Sequence, residues 1–142
     1  MDEIMAAIEC GRTGNRQEAA GALRALWDAA GDDALKRVTI AHHLADLQDD
    51  PHEELIWDRR ALAAVAGLTD RHAQDFHESL QVRGFLPSLH LNLADVHHRL
   101  GHHAEARVHL ASAQSFIDAL ADDGYGAMIR SGISSLQVKL AA

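Results

Sequence analysis

The chain has 142 residues, enough for one domain with a buried core, and 47% of them are hydrophobic against 4% aromatic. A net charge of -8 with histidine neutral disfavours binding to nucleic acid or anionic membrane, both of which need a basic patch. Cys10 is the only cysteine, which excludes an internal disulfide, and no apolar run approaches the length of a membrane span.

Apolar spacing is helical along almost the whole chain, and Ala and Leu supply most of the apolar mass. Ile4, Ala7 and Ile8 predict a first helix ending near Gly11 to Gly14. The N-terminal "MDEIMAAIEC" lacks the basic flank and apolar core of a signal peptide, so a soluble cytoplasmic protein is expected. Ala19, Ala20, Leu23, Leu26 and Trp27 predict a second helix closed by Gly31. Asp32 or Asp33 caps a third, whose face carries Leu35, Val38, Ile40, Ala41 and Leu44. "QDDP" then breaks the chain, and Pro51 suits the first turn of a fourth helix running to Gly67. "DRR" at 58–60 reads as a solvated face of that helix, and Trp27 and Trp57 as packing anchors. Thr69 or Asp70 caps a short helix ending by Gly84. Pro87 or Ser88 starts the next, which ends at Gly101, and its partner runs from about His103 to Leu120. Tyr125, Ile129, Ile133, Leu136 and Leu140 make a last amphipathic helix. No strand pattern of comparable strength occurs, so the expected class is all-α.

An internal repeat organises these helices. "GNRQEAAGAL" (Gly14 to Leu23) aligns with "GHHAEARVHL" (Gly101 to Leu110), matching Gly14 with Gly101, Glu18 with Glu105, Ala19 with Ala106 and Leu23 with Leu110. Gln48 takes the turn position between them. The step from Gly14 to Gln48 is 34 residues, and that from Gln48 to Gly101 is 53, a further 34 plus a 19-residue insertion. A helix-turn-helix period of about 34 is that of tetratricopeptide repeats.

The third unit resembles that family at Leu93, Ala94, His97, Gly101, Ala106, Leu110 and Ala113. The first matches at Ala7, Gly14, Ala19 and Leu23, with Cys10 at the aromatic place, and the second at Ile40, Ala41 and Leu44. The resemblance implies a right-handed array of three helix pairs in a single domain. The units are approximately 1–31, 32–67 and 85–121, with an insertion at 68–84 and a capping helix at 124–142. It implies a small bacterial scaffold that binds a protein or peptide partner in a groove lined by the first helix of each pair, without chemistry or cofactor. The groove positions carried over are Asn92, Asp95, His98 and Arg99 in the third unit and Val38, Thr39, His42 and Asp46 in the second. Ile4, Met5, Ile8 and Arg12 follow in the first. A homodimer formed through an exposed apolar end is the alternative within the same architecture.

His97, His98, His102 and His103 raise the other alternative, a metal-dependent binder or hydrolase. Zinc needs three or four ligands in tetrahedral reach. The turn at Gly101 splits these four, and there is no "HExxH" and no cysteine pair. A two-helix set of His42, Asp46, Asp95 and His98 is the one conceivable site. The resemblance places His97 and His103 where a ring packs between helices, so no metal is expected.

Overall fold

A computed structural model of the protein describes residues 1–68, 82–120 and 122–141, and every regular element among them is helical. In chain order these are α1 (Asp2–Arg12), α2 (Arg16–Ala29), α3 (Ala34–Asp46), α4 (Pro51–Val65), α5 (Val82–Arg99), α6 (His103–Ser115), a 3-10 turn at Ile117–Ala119, and α7 (Gly124–Ala141). The class is all-α, as the apolar periodicity requires. The chain divides into two compact units, residues 1–68 and 69–142. The expected helix starting at Thr69 or Asp70 lies outside the described residues. None of the described helices is long and apolar enough to cross a membrane.

In the first unit α1 packs on α2, α2 on α3 and α3 on α4. Helix starts follow the expected chemistry. A side-chain oxygen of Asp33 accepts from the Lys36 amide at 3.1 Å, and one of Asp50 accepts from the His52 amide at 2.9 Å with Pro51 in the first turn. Leu23, Val38, Ile40, Ala41 and Leu44 are fully buried. Gly11 lets α1 approach its neighbours: a Cβ there would lie 3.2 Å from that of Ala19 and 3.3 Å from a Leu47 methyl. Trp27 and Trp57 meet edge to face at 5.3 Å, with the Arg37 guanidinium 3.9 Å above Trp27.

In the second unit α5 packs on α6, and α7 lies against both. Ala94, Ala106 and Ala113 are fully buried and bring the helix backbones close. Ile129, Ile133, Leu136 and Leu140 of α7 complete this core. Gly132 leaves room for Leu91, since a Cβ there would fall 2.8 Å from a Leu91 methyl and that methyl would have to shift.

The turns after α1 and α5 share one backbone geometry. Gly14 (φ 102°) and Gly101 (φ 80°) both adopt the left-handed conformation that favours glycine. The Asn15 amide donates to the Cys10 carbonyl at 3.2 Å, and the His102 amide to the His97 carbonyl at 2.8 Å, the wide closing bond of a Schellman cap. The aligned residues thus take equivalent places in two hairpins. The turn after α3 differs: Gln48 donates its amide to Ala45 and closes without a left-handed residue.

Four expectations need correction. Helix α5 does not start at Pro87 but passes through it from Val82. Proline there removes only one bond, to the carbonyl four residues back, in the second turn, and Pro87, Ser88 and Leu89 are all buried in compensation. Helix α6 ends at Ser115 rather than continuing to Leu120, where a short 3-10 turn takes over. Asp58 is not on a solvated face; it is 1% exposed, one turn from Leu55 and Ala61 on the buried side of α4. His103 is exposed and does not fill an interhelical place; His109, two turns further from the cap, does so instead.

Candidate functional site

Two clefts hold most of the chemistry-bearing side chains near the expected groove positions, one in each unit. The first, about 440 Å³, opens between α1, α2 and α3 and is lined by Ile8, Gly11, Arg12, Arg16, Leu23, His43, Asp46 and Leu47. Its geometry follows from two helix ends. Arg12 closes α1 and Arg16 opens α2 across the Gly14 turn, so both guanidiniums reach the last turn of α3. Arg16 donates to the Asp46 carbonyl at 3.1 Å and stands 4.0 Å from the Asp49 carboxylate. Arg12 pairs loosely with Glu9 at 3.6 Å, an exposed contact of little energetic weight. Burial, then the neighbouring His42 and Arg12, push the His43 imidazole down to about 4 against the opposing Asp46, so it is neutral at pH 7. Desolvation raises the Asp46 carboxyl above its usual range, while His43 and Arg16 pull it down.

The second cleft, about 240 Å³, lies between α5 and α7 and is lined by Leu91, Asn92, Asp95, Gly132, Ser135, Leu136 and Lys139. An amide, a carboxylate, a hydroxyl and an ammonium therefore face one small space. Arg99 Nε donates to Asp95 Oδ2 at 3.0 Å, one helical turn along α5.

The structure treats the expected groove residues unequally. Asn92 and Asp95 line one cleft together, with Arg99 joined to them through Asp95. Asp46 lines the other, beside Ile8 and Arg12 of the first unit. His98 lies outside both linings, its ring edge-on to His103 at 5.8 Å. The Thr39 hydroxyl turns back to its own helix, donating to the Leu35 carbonyl at 2.8 Å. His42 is half-buried, and burial lowers its pKa. Ile4 and Val38 are core residues, not groove surface. Their helical positions point into the hairpin contacts, a displacement that one residue of register produces in a helix turning 100° per residue. Among the described residues, no group of three or more His, Cys, Asp or Glu side chains converges to hold a metal.

Sequence reasoning grouped His43 with His42 and Asp46 on the third helix, but it missed Arg16 in the first cleft and Ser135 and Lys139 in the second. It also missed a row of imidazoles between α5 and α6. His97, 2% exposed, has its Nδ1 3.1 Å from that of His102 and stacks on His109 at 5.6 Å with rings 5° from parallel. His109 in turn places its Nδ1 3.0 Å from that of His90, whose ring stacks on Phe116 at 6.0 Å. In each close pair one imidazole donates and the other accepts, which neutral rings satisfy and two charged rings cannot. Burial, and then His109, lower the His90 pKa. A sequence signal for this row existed: His90 and His97 on α5, and His102 and His109 at the start and body of α6, are each seven residues apart, two helical turns. No family model, curated protein or solved structure matches this chain.

Proposed function

We propose that the chain is a non-enzymatic scaffold of tetratricopeptide type that binds a protein or peptide partner in the cytoplasm through side chains of its first helices. The observation that carries this reading is the equivalence of the turns at Gly14 and Gly101, which close with the same long-range backbone bond in two hairpins of aligned sequence. The buried alanines support it as well. Ala19 and Ala106, aligned in the repeat, are both fully buried at hairpin contacts. The polar group of Asn92, Asp95 and Arg99 suits recognition of an extended peptide, since an amide reads backbone groups in both directions and the ion pair offers a donor fork and an acceptor.

The test is affinity capture with the Asn92→Ala, Asp95→Ala, Arg99→Ala triple variant against the unaltered protein. Arg99 is exposed and the other two are half-buried, so the fold is expected to persist with an unchanged helical circular dichroism spectrum. Capture of the partner should fall by at least tenfold, the order expected when charge-assisted hydrogen bonds are lost. Equal capture by a folded triple variant would place the interface elsewhere.

A further inference from the structure

The cleft of the first unit joins three positions of the expected groove, Ile8, Arg12 and Asp46, to Arg16, His43, Leu23 and Leu47, a composition suited to a small ligand as well as to a partner chain. Its apolar surface is that of the half-buried Ile8 and Leu47, backed by the buried Leu23, and its polar lining is two guanidiniums, a neutral imidazole and one carboxylate. A volume of about 440 Å³ falls in the range of small-molecule sites. The guanidinium fork matches the two acceptor oxygens of a carboxylate in bidentate geometry, as it does those of a phosphate. Both arginines are exposed; Arg12 is held by a loose 3.6 Å ion pair to Glu9, and Arg16 by a 4.0 Å ion pair to Asp49 and a 3.1 Å hydrogen bond to the Asp46 carbonyl, which anchors its guanidinium at the cleft. His43 adds a ring nitrogen that donates or accepts without adding charge. Asp46 sets an upper limit on ligand charge: its carboxylate lines the same space and repels a phosphate dianion more strongly than a monoanion.

We propose that this cleft binds a small aliphatic monocarboxylate, with its carboxylate between Arg12 and Arg16 and its hydrocarbon tail on Ile8 and Leu47. The carboxylate stays at the rim, where water still reaches its outer face, and the tail displaces water from the apolar surface. Partner capture through Asn92, Asp95 and Arg99 does not depend on this site, so the two readings stand or fall separately.

The experiment is a titration of the isotope-labelled full chain with 4-methylpentanoate, followed by amide and arginine Nε–H resonances. Three controls accompany it: 4-methylpentanamide, inorganic phosphate, and the variants Arg12→Gln, Arg16→Gln and Asp46→Asn. The proposal predicts saturable shifts at Gly11, Leu47 and the two arginine side chains, with a dissociation constant of about 1 mM or tighter, as eight heavy atoms allow. The amide and phosphate should bind at least about tenfold more weakly. Each Arg→Gln variant should lose about tenfold in affinity, and Asp46→Asn should gain a few-fold by removing the repulsion. Shifts spread over the chain without saturation, equal binding of the amide, or lost affinity in Asp46→Asn would each overturn it.

Discussion

Replacing Leu44 by alanine is expected to lower the unfolding free energy by roughly 2–5 kcal/mol. Leu44 is fully buried on α3, the helix that packs against both α2 and α4 and touches α1. Truncation removes three carbons from contacts on several sides, and helices pinned by Gly11 and by capped ends at Asp33 and Asp50 have little freedom to close the cavity. An exposed apolar residue gives the control: Met5→Ala on α1 should change stability by less than about 0.5 kcal/mol. Urea unfolding of the two variants measures both values. A Leu44→Ala protein as stable as the Met5→Ala protein would show that α3 is not the centre of its unit.

Acidification should destabilise the fold through its buried imidazoles. Burial lowers the pKa of His42, His43 and His90, and for His43 the value falls from 6.5 to about 4. The unfolded chain takes up these protons near 6.5, while folded His43 resists until about 4. Between those limits the unfolded state binds more protons, so stability falls as pH falls. For His43 alone the difference corresponds to roughly 3 kcal/mol at the acid end. Asp46 works in the opposite sense, since its raised carboxyl is protonated earlier in the folded state and regains stability as pH falls through the carboxylate range. The three lowered imidazoles act together against one raised carboxyl. Unfolding midpoints in urea should therefore drop between about pH 7 and pH 4.5, and His43→Gln should flatten part of that slope. A midpoint constant or rising across this interval would contradict the neutral packing of these rings.

Much of the helix layout was legible because it rests on local rules. Ile4 and Ala7, or Leu35, Val38 and Ala41, are spaced for one face of a helix, and Asp33, Pro51, Gly14 and Gly101 punctuate those runs with chemistry that acts over a few residues. Pro87 was misread as a start because the local rule ignores tertiary burial. Its lost hydrogen bond is offset by packing that no sequence window displays. Asp58 failed for the related reason that charge predicts exposure only on average, whereas its helical phase puts it beside Leu55 and Ala61.

The clefts were legible by halves. Asn92 and Asp95 share a wall because they are three residues apart on one helix, a relation visible in sequence. The opposite wall, Ser135 and Lys139, depends on how α7 docks through Ile129, Ile133, Leu136 and Leu140, with Leu91 close against Gly132. Arg16 and His43 come together for the same kind of reason, through the Gly14 turn and the packing of α3 on α2. The imidazole row needed two facts at once: a seven-residue spacing on each helix, and the hairpin that lays one spacing against the other.

The central claim is that partners are held by side chains of the first helix of each pair. Photo-crosslinking tests it most directly. A photoreactive residue is placed at Asp46 on α3 or Arg99 on α5, and for comparison at Glu18 on α2 or Val108 on α6, all four being exposed. In cells, discrete protein adducts should form from positions 46 and 99 and be absent or several-fold weaker from 18 and 108. Adducts of equal or greater yield from the two second-helix positions would contradict the account.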